Sequence, residues 1–541
     1  MKQNLGIVRW RGSDYVDKEQ LDRLYAATPA EARSLLAPQG YFNPHIDTSM
    51  RTEHGEWLIS LKVEPGDAAI VSDANLALSG PIRDEADFQT IYAKLIEAWL
   101  LPIGADFKQT AWDNAKRRGL QTVIIDRFPA AHIAKSHADV DPDKATADVS
   151  VEYQSGPRFT LGPVTVDGLS RYPRELVDRL QTFSPGEPYS QQKLLDFQAA
   201  LQNTPYFSSV FLDVPIDESH PDQVPIKVEL TEAPIYKLDA GLGYGTDKGN
   251  RASLALRDSN IRRQGWIGTF GIDLQQREQA FNAGLQFPND ADGYRNALSF
   301  QALHQDIAGQ QVWQQTLGAQ RTRLRGLIEV TQALQYTQST NSTDGQPSTF
   351  TRALIPSQTW TRRELDNPND PHSGTIFNWQ IGGAAKSVLS TANFVRAYGR
   401  LAWYIPAGRD AIWLLRGEAG EVFTRDPKDV PADWLFRAGG SDSVRGYGYQ
   451  TLGVQQDGAV IGGRVLATGS VEYQHRIVGN WRGAVFADAG GAADQWNSFR
   501  VSRGYGTGAR WGSPVGQFAF DLAYGLDEHR IRFHFSLGVG F

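Results

Sequence analysis

The chain has 541 residues, no cysteine and a formal net charge of −7, with a mean hydropathy of −0.40. No stretch reaches the roughly 18 consecutive apolar residues of a membrane helix, so a helical span is excluded, whereas a barrel of half-apolar strands is not. The missing cysteines remove disulfides and thiolate metal sites, and an acidic balance without a basic stripe argues against nucleic acid as a partner.

The first residues lack the basic-then-apolar layout of a signal peptide. A barrel protein must be exported, so the start reads as mature, truncated or misplaced. Up to about residue 234 the chain is rich in Pro and helical patterns, and a unit recurs about every 80 residues. A β-rich segment ends in Val-Glu and then a small-residue or Pro exit: Val63-Glu64-Pro65-Gly66, Val151-Glu152 with Gly156-Pro157, and Val228-Glu229 with Ala233-Pro234. The order within a unit is β-α-α-β-β, which predicts tandem α+β modules over 1–66, 67–156 and 157–233. In the first, Thr28, Pro29 and Glu31 have the spacing of a helix start, and Gly40 closes the helix. The second has Asp106 before a helix closed by Gly119; in the third Ser190 caps a helix with Leu194, Leu195, Phe197 and Leu201 on its buried side. Gly40-Tyr41-Phe42 and Pro205-Tyr206-Phe207-Ser208-Ser209-Val210 resemble POTRA domains, the polypeptide-transport-associated modules. The first unit is short and its opening strand is poorly represented before Asp17, as in a truncated module.

Residues 234–541 are rich in Gly, Trp and Gln and change period from helical to two. About sixteen strands are predicted, an even number as single-chain bacterial barrels require, so the fold class is POTRA modules followed by an antiparallel transmembrane β-barrel. In the last strand Ile531, Phe533, Phe535, Leu537, Val539 and Phe541 share one face and Arg530, Arg532, His534, Ser536, Gly538 and Gly540 the other. Strand 516–527 sends Phe518, Phe520, Leu522, Tyr524 and Leu526 outward, and strand 393–406 sends Val395, Leu401, Trp403 and Ile405 outward against Arg396, Tyr398 and Arg400. With a periplasmic N-terminus, the turns at 288–290 and 367–371 are periplasmic and a long extracellular loop spans about 424–463.

That loop carries Gly439-Gly440-Ser441-Asp442-Ser443-Val444-Arg445-Gly446-Tyr447-Gly448-Tyr449. The second strand after it carries Phe486-Ala487-Asp488-Ala489-Gly490, and a later block reads Gly506-Thr507-Gly508-Ala509-Arg510-Trp511 with Ser513-Pro514-Val515-Gly516. These resemble the V-R-G-[FY] loop, the F-x-D-x-G strand and a further block of the outer-membrane assembly superfamily that contains BamA, TamA and the two-partner secretion transporters. Period-two counting turns Phe486, Asp488 and Gly490 into the lumen with Arg482. Arg445, on a loop folded back inside, then reaches Asp488 with its two-pronged guanidinium and stacks on Phe486. Val444, Arg445, Gly446, Tyr447, Phe486, Asp488 and Gly490 are therefore the candidate loop-fastening residues. Where the family's terminal strand has Gly, this chain has Ser536.

Three modules resemble the TamA branch of the superfamily. That resemblance implies insertion of β-barrel outer-membrane proteins such as autotransporters, with unfolded clients, outer-membrane lipid and a TamB-like inner-membrane-anchored periplasmic protein as partners, and no cofactor. Closure of the barrel depends on pairing the first strand with the last. Leu238, Ala240, Gly241 and Gly243 on one side and Gly538, Gly540 and Phe541 on the other mark a Gly-weakened seam. Such a seam can open and template an incoming strand. The alternatives are a two-partner-type export pore and a barrel enzyme. For the latter, none of the barrel histidines His304, His372, His475, His529 and His534 has a convincing neighbouring nucleophile. Ser190-Gln191-Gln192-Lys193 matches an S-x-x-K hydrolase motif but sits at a helix start. Asp139, Asp141 and Asp143 begin like a calcium loop, yet Lys144 and Ser150 occupy positions that need Gly and Glu.

Overall fold

The computed structural model describes residues 4–10, 15–53, 56–290, 292–343, 345–513 and 516–538. The chain divides into two compact units, Met1–Leu169 with Leu180–Thr231 and Ser170–Arg179 with Glu232–Phe541.

The first unit opens with α1 (Gly6–Arg9), α2 (Lys18–Leu36) and a hairpin of β1 (His45–Glu53) and β2 (Glu56–Glu64). Next come β3 (Ile70–Ser79), α3 (Phe88–Ala98), α4 (Gln109–Ile124), β4 (His132–Asp141) and β5 (Thr146–Gln154). Their sheet has the order β3-β5-β4, with β5 parallel to β3 and antiparallel to β4. The third module runs β6 (Leu161–Asp167), α5 (Glu175–Asp178), α6 (Gln191–Gln202), β7 (Phe207–Asp213) and β8 (Val224–Glu232), in the sheet order β6-β8-β7. Period two explains the cores. Ala147, Val149, Val151 and Tyr153 of β5 are buried against Leu95, Trp112 and Val123 of the helices, while the residues between them face out.

Several local expectations are corrected. Thr28 does not start a helix: Asp17 caps α2, its carboxylate accepting from Gln20 N at 2.7 Å. Thr28 and Pro29 lie inside that helix, where the Thr28 hydroxyl donates to Leu24 O. Glu31 accepts from Gly6 N instead of closing a capping box. Gly40, at φ +97°, does end the turn that follows. Gly119 is interior to α4 and is small because the Tyr153 hydroxyl packs on it. Ser190 occupies the N-cap of α6 without a side-chain bond, and Leu195 is exposed while Leu194, Phe197 and Leu201 are buried.

The second unit is one antiparallel sheet of sixteen strands in which each strand neighbours the next in sequence, apart from a two-strand insert. The first eight are β9 (Tyr236–Gly245), β10 (Gly249–Ile261), β11 (Trp266–Gln275), β12 (Glu278–Gln286), β13 (Arg295–Ile307), β14 (Gln310–Arg325), β15 (Ile328–Thr343) and β16 (Thr349–Leu365). Then follow β17 (Gly374–Ala384), β18 (Phe394–Pro406), β19 (Ala411–Thr424), the insert hairpin β20 (Val454–Gln456) and β21 (Ala459–Ile461), and β22 (Val465–Val478). The wall ends with β23 (Trp481–Ala493), β24 (Ser502–Ser513), β25 (Gly516–Gly525) and β26 (Arg530–Gly538). This is the expected barrel, strand for strand. A ladder in which every interior strand is paired on both sides is what hydrocarbon demands, because unpaired backbone groups there cost several kcal/mol each.

Apolar side chains such as Val395, Leu401 and Trp403 face outward, while Arg396, Tyr398 and Arg400 face in. The near rim, from which β9 starts, carries the turns at 262–265, 287–294, 326–327, 366–373, 407–410 and 479–480. The far rim carries the long segment between β19 and β22, which packs on the inner wall. Val430, Trp434, Phe436 and Ala438 from that segment join Ala353, Ile355, Phe394, Val422 and Leu466 of the strands in an apolar cluster. At the near rim, the short segment holding α5 is tied to the barrel unit. Glu232 accepts from Ser170 N and from Arg171 N and Nε at 2.6–2.8 Å, and Asn260 donates to Arg171 O.

Candidate functional site

The segment between β19 and β22 delivers Arg445 to the inner face of β22–β25. Its side chain is 1 % exposed. Nε and Nη2 donate to the two oxygens of Asp488 at 2.7 and 2.9 Å, and Arg445 N donates to Asp488 Oδ2 at 3.0 Å. The guanidinium carbon stands 3.4 Å from the centroid of the Phe486 ring. A fork on a carboxylate and a flat cation on a ring are contacts that arginine makes and lysine cannot reproduce.

The same guanidinium also reaches residues that motif reading does not single out. Arg445 Nη1 donates to Glu472 at 2.6 Å and to Asp521 at 3.2 Å, and Nη2 donates to Ser470. Arg510 completes the cluster, donating to Glu472 at 2.8 and 2.9 Å and also to Asp521. Two guanidiniums thus face three carboxylates, and Arg416 approaches through Ser470. Glu472, Asp488, Arg510 and Asp521 are each at most 4 % exposed. At such burial each charge depends on its partners, since an unpaired one would be costly. A signal for Glu472 and Asp521 is present in the sequence: each is a lone carboxylate at an inward position, between Val471 and Tyr473 or between Phe520 and Leu522.

Glycine makes room for this contact. Gly446 has φ +95°, and a Cβ on it would meet Gly525 N at 2.7 Å. A Cβ on Gly504 would strike Arg445 O, and one on Gly506 would enter the Phe486 ring. The alternating glycines of β24 therefore form the flat floor on which the loop lies. Val444 is buried, and the Tyr447 hydroxyl, with its single proton, lies 3.0 Å from Arg503 O and 2.9 Å from the Asp527 carboxylate. Gly490, at φ +147°, lies against Ala467 O and Thr468. Arg482 shares the inward face with Phe486 and Asp488, but it pairs with Asp370 at 2.8 Å through both prongs, away from the Arg445 cluster.

The seam is built differently. β9 pairs only with β10 and β26 only with β25 among the described residues. Leu238, Ala240, Gly241 and Gly243 lie along β9, whose side chains are exposed nearly throughout. Gly538 is the last described residue of β26; Gly540 and Phe541 lie outside the described residues. Across the gap Phe535 N donates to Thr246 Oγ1 at 3.1 Å. A side-chain clasp stands beside that bond. Gly446 N donates to His534 Nε2 at 3.0 Å, Ser441 N donates to Asp247 Oδ2 at 3.0 Å, and His534 Nδ1 lies 3.8 Å from Asp247. The turn after β9, the last strand and the Arg445 loop therefore meet at one point. Asp247 and His534 were not singled out in the sequence, because one lies in a hairpin turn and the other reads as an ordinary inward residue.

Comparison with known proteins agrees with this architecture. Residues 236–541 match the Omp85 superfamily domain. Residues 11–65 match the model for domain 1 of the TamA POTRA domains, and residues 159–233 match the POTRA model described as a surface antigen variable number repeat. The outer membrane protein assembly factor BamA of Nitratidesulfovibrio vulgaris is 22% identical over 432 residues, covering 75% of this chain and 54% of that protein. BamA of Neisseria meningitidis is 23% identical over 583 residues, covering 93% of this chain and 71% of its own length. The chain thus spans about half of the first relative and more of the second. The crystal structure of Haemophilus ducreyi BamA lacking POTRA domains 1–3 superposes with a TM-score of 0.71 at 17% identity, covering 87% of this chain and 100% of that one. The chain belongs to the Omp85 superfamily, as an outer-membrane β-barrel preceded by periplasmic POTRA domains.

Proposed function

We propose that this chain is an outer-membrane assembly factor of the TamA type, inserting β-barrel proteins such as autotransporters. Its POTRA domains bind unfolded clients and a TamB-like inner-membrane-anchored partner. The barrel admits a client strand at the β9–β26 seam. The match of residues 11–65 to the first TamA POTRA domain supports the TamA branch, and the naming of the BamA relatives as assembly factors supports the reaction class.

The observation that carries the reading is the contrast at the seam. Every interior strand has two hydrogen-bonded neighbours, yet among the described residues β9 and β26 meet through one backbone-to-side-chain bond and a clasp. An edge held so lightly can exchange its partner for an incoming strand, whose backbone bonds replace those that open. Arg445, Phe486 and Asp488, with Val444, Gly446, Tyr447 and Gly490, keep the loop fastened to β22–β25 while the seam moves. That wall then acts as the fixed template beside β26.

Because the chain has no native cysteine, a pair introduced across β9 and β26 forms a single defined crosslink. Locking the seam should abolish client insertion into vesicles, and reduction should restore it. Full insertion by the locked protein would refute gating. Clients released to the medium, with none in the membrane, would instead indicate an export pore of the two-partner type.

A further inference from the structure

On β14, Trp313, Gln315, Leu317, Ala319, Arg321, Arg323 and Arg325 alternate with an inward set that includes the buried Gln314 and Thr322. Arg321, Arg323 and Arg325 are therefore on the lipid side, in line with Trp313 and Leu317, each 61% exposed. They stand at the end of the strand nearest the turn at 326–327, on the periplasmic rim. Arg323 is opposite Val330, Val330 opposite Trp360, and Trp360 opposite Trp379, so the outward face of the neighbouring strands carries tryptophans. Rings of that kind mark the interface between hydrocarbon and headgroups.

All three guanidiniums converge on Tyr294. Arg321 lies 3.7 Å from its ring centroid and Arg323 5.2 Å, and Arg325 Nη2 donates to its hydroxyl at 3.4 Å. Among the described residues no carboxylate pairs with any of the three. Asp290 caps its own turn at Asp292 N and Tyr294 N, Glu329 pairs with Arg295 on the lumen side, and Glu364 pairs with Arg362. Stacking uses the faces of the guanidiniums and leaves N–H edges open.

We propose that Tyr294, Arg321, Arg323 and Arg325 form a headgroup site on the outer wall of the barrel that binds the phosphate of an anionic phospholipid in the periplasmic leaflet. Uncompensated guanidiniums at headgroup depth fit a phosphodiester in charge, in hydrogen-bond geometry and in position. The tyrosine ring holds the side chains together against their mutual repulsion. The site depends only on the barrel lying in a membrane and stands whether or not clients enter at the seam.

The test is native mass spectrometry of the full chain in detergent, titrated with phosphatidylglycerol or phosphatidylcholine. Wild type should prefer the anionic lipid, a result that needs no substitution. The triple variant R321Q/R323Q/R325Q, confirmed as folded by its heat-modifiable gel shift, should lose that preference by about tenfold or more. The single variant R323Q should lose part of it. R295Q, which removes a nearby lumen-facing arginine, should keep it. Equal binding of the two lipids by wild type, an unchanged preference in the arginine variants, or an equal loss in R295Q would each overturn the site. Displacement of phosphatidylglycerol by inorganic phosphate at matched concentration would show a general anion site and overturn the lipid assignment.

Discussion

The β22–β25 wall and the β9–β26 seam belong to one sheet but are held by different means. On the wall the backbone ladder is complete, and five buried charged side chains from four strands and a loop are gathered on its inner face. At the seam, among the described residues, one backbone N–H reaches a threonine hydroxyl, and a histidine and an aspartate clasp the loop. A closed barrel gains from every additional paired strand, so the thin join is a local departure from the rule that the rest of the sheet obeys. The loop touches both regions, with Arg445 on the wall and its neighbours Ser441 and Gly446 at the seam. It can therefore hold one side fast while the other opens.

The contrast can be broken most severely at Arg445. Arg445→Ala leaves the buried Asp488 without its guanidinium and Glu472 and Asp521 with Arg510 alone, and should cost about 3–5 kcal/mol, read as a lower midpoint of unfolding in denaturant. With Arg445 1 % exposed, the loss is that of a broken buried pair rather than of a wet one. Arg445→Lys should recover little, because an ammonium cannot serve Asp488 with two prongs and also lie flat on Phe486. Wild-type stability in the lysine variant would remove the fork geometry from the account.

A smaller effect comes from the floor beneath the loop. Gly446→Ala places a Cβ against the Gly525 backbone at a positive φ, and should cost about 2–3 kcal/mol and expose the loop to protease. An alanine variant as resistant as wild type would show that the loop is not pressed on β25. The mildest change is at the clasp. His534→Ala leaves Gly446 N without its acceptor and should cost only about 0.5–1.5 kcal/mol. Its signature is kinetic: a cysteine pair across β9 and β26 should crosslink more slowly as the edges separate. An unchanged crosslinking rate would mean that the clasp does not hold the seam.

The barrel was legible because its rule is local. Period-two alternation, as in Phe518, Phe520 and Leu522 against Ala519 and Asp521, repeats in strand after strand and needs no partner to be recognised. The helical modules were less legible. Thr28-Pro29 has the composition of a helix start, but tertiary packing carries α2 through it, and the Asp17 cap lies eleven residues earlier. Gly119 reads as a stop signal, yet it is a gap for the Tyr153 hydroxyl from another element. Within the candidate site, Arg445, Phe486 and Asp488 stand out by their motifs. Glu472 and Asp521 carry no motif and become visible only as lone inward carboxylates on their strands.

Alternation along each segment, glycine spacing in β24 and the clustered Val-Arg-Gly-Tyr of the loop are properties of neighbouring residues, so the linear chain determines them by itself. Which carboxylates gather round Arg445, that Asp247 faces His534 across a sequence separation of 287, and that three lipid-facing arginines share one tyrosine ring depend on strand register and barrel closure. Those are long-range quantities, set only when hydrogen-bonded ladders bring distant segments to the same height.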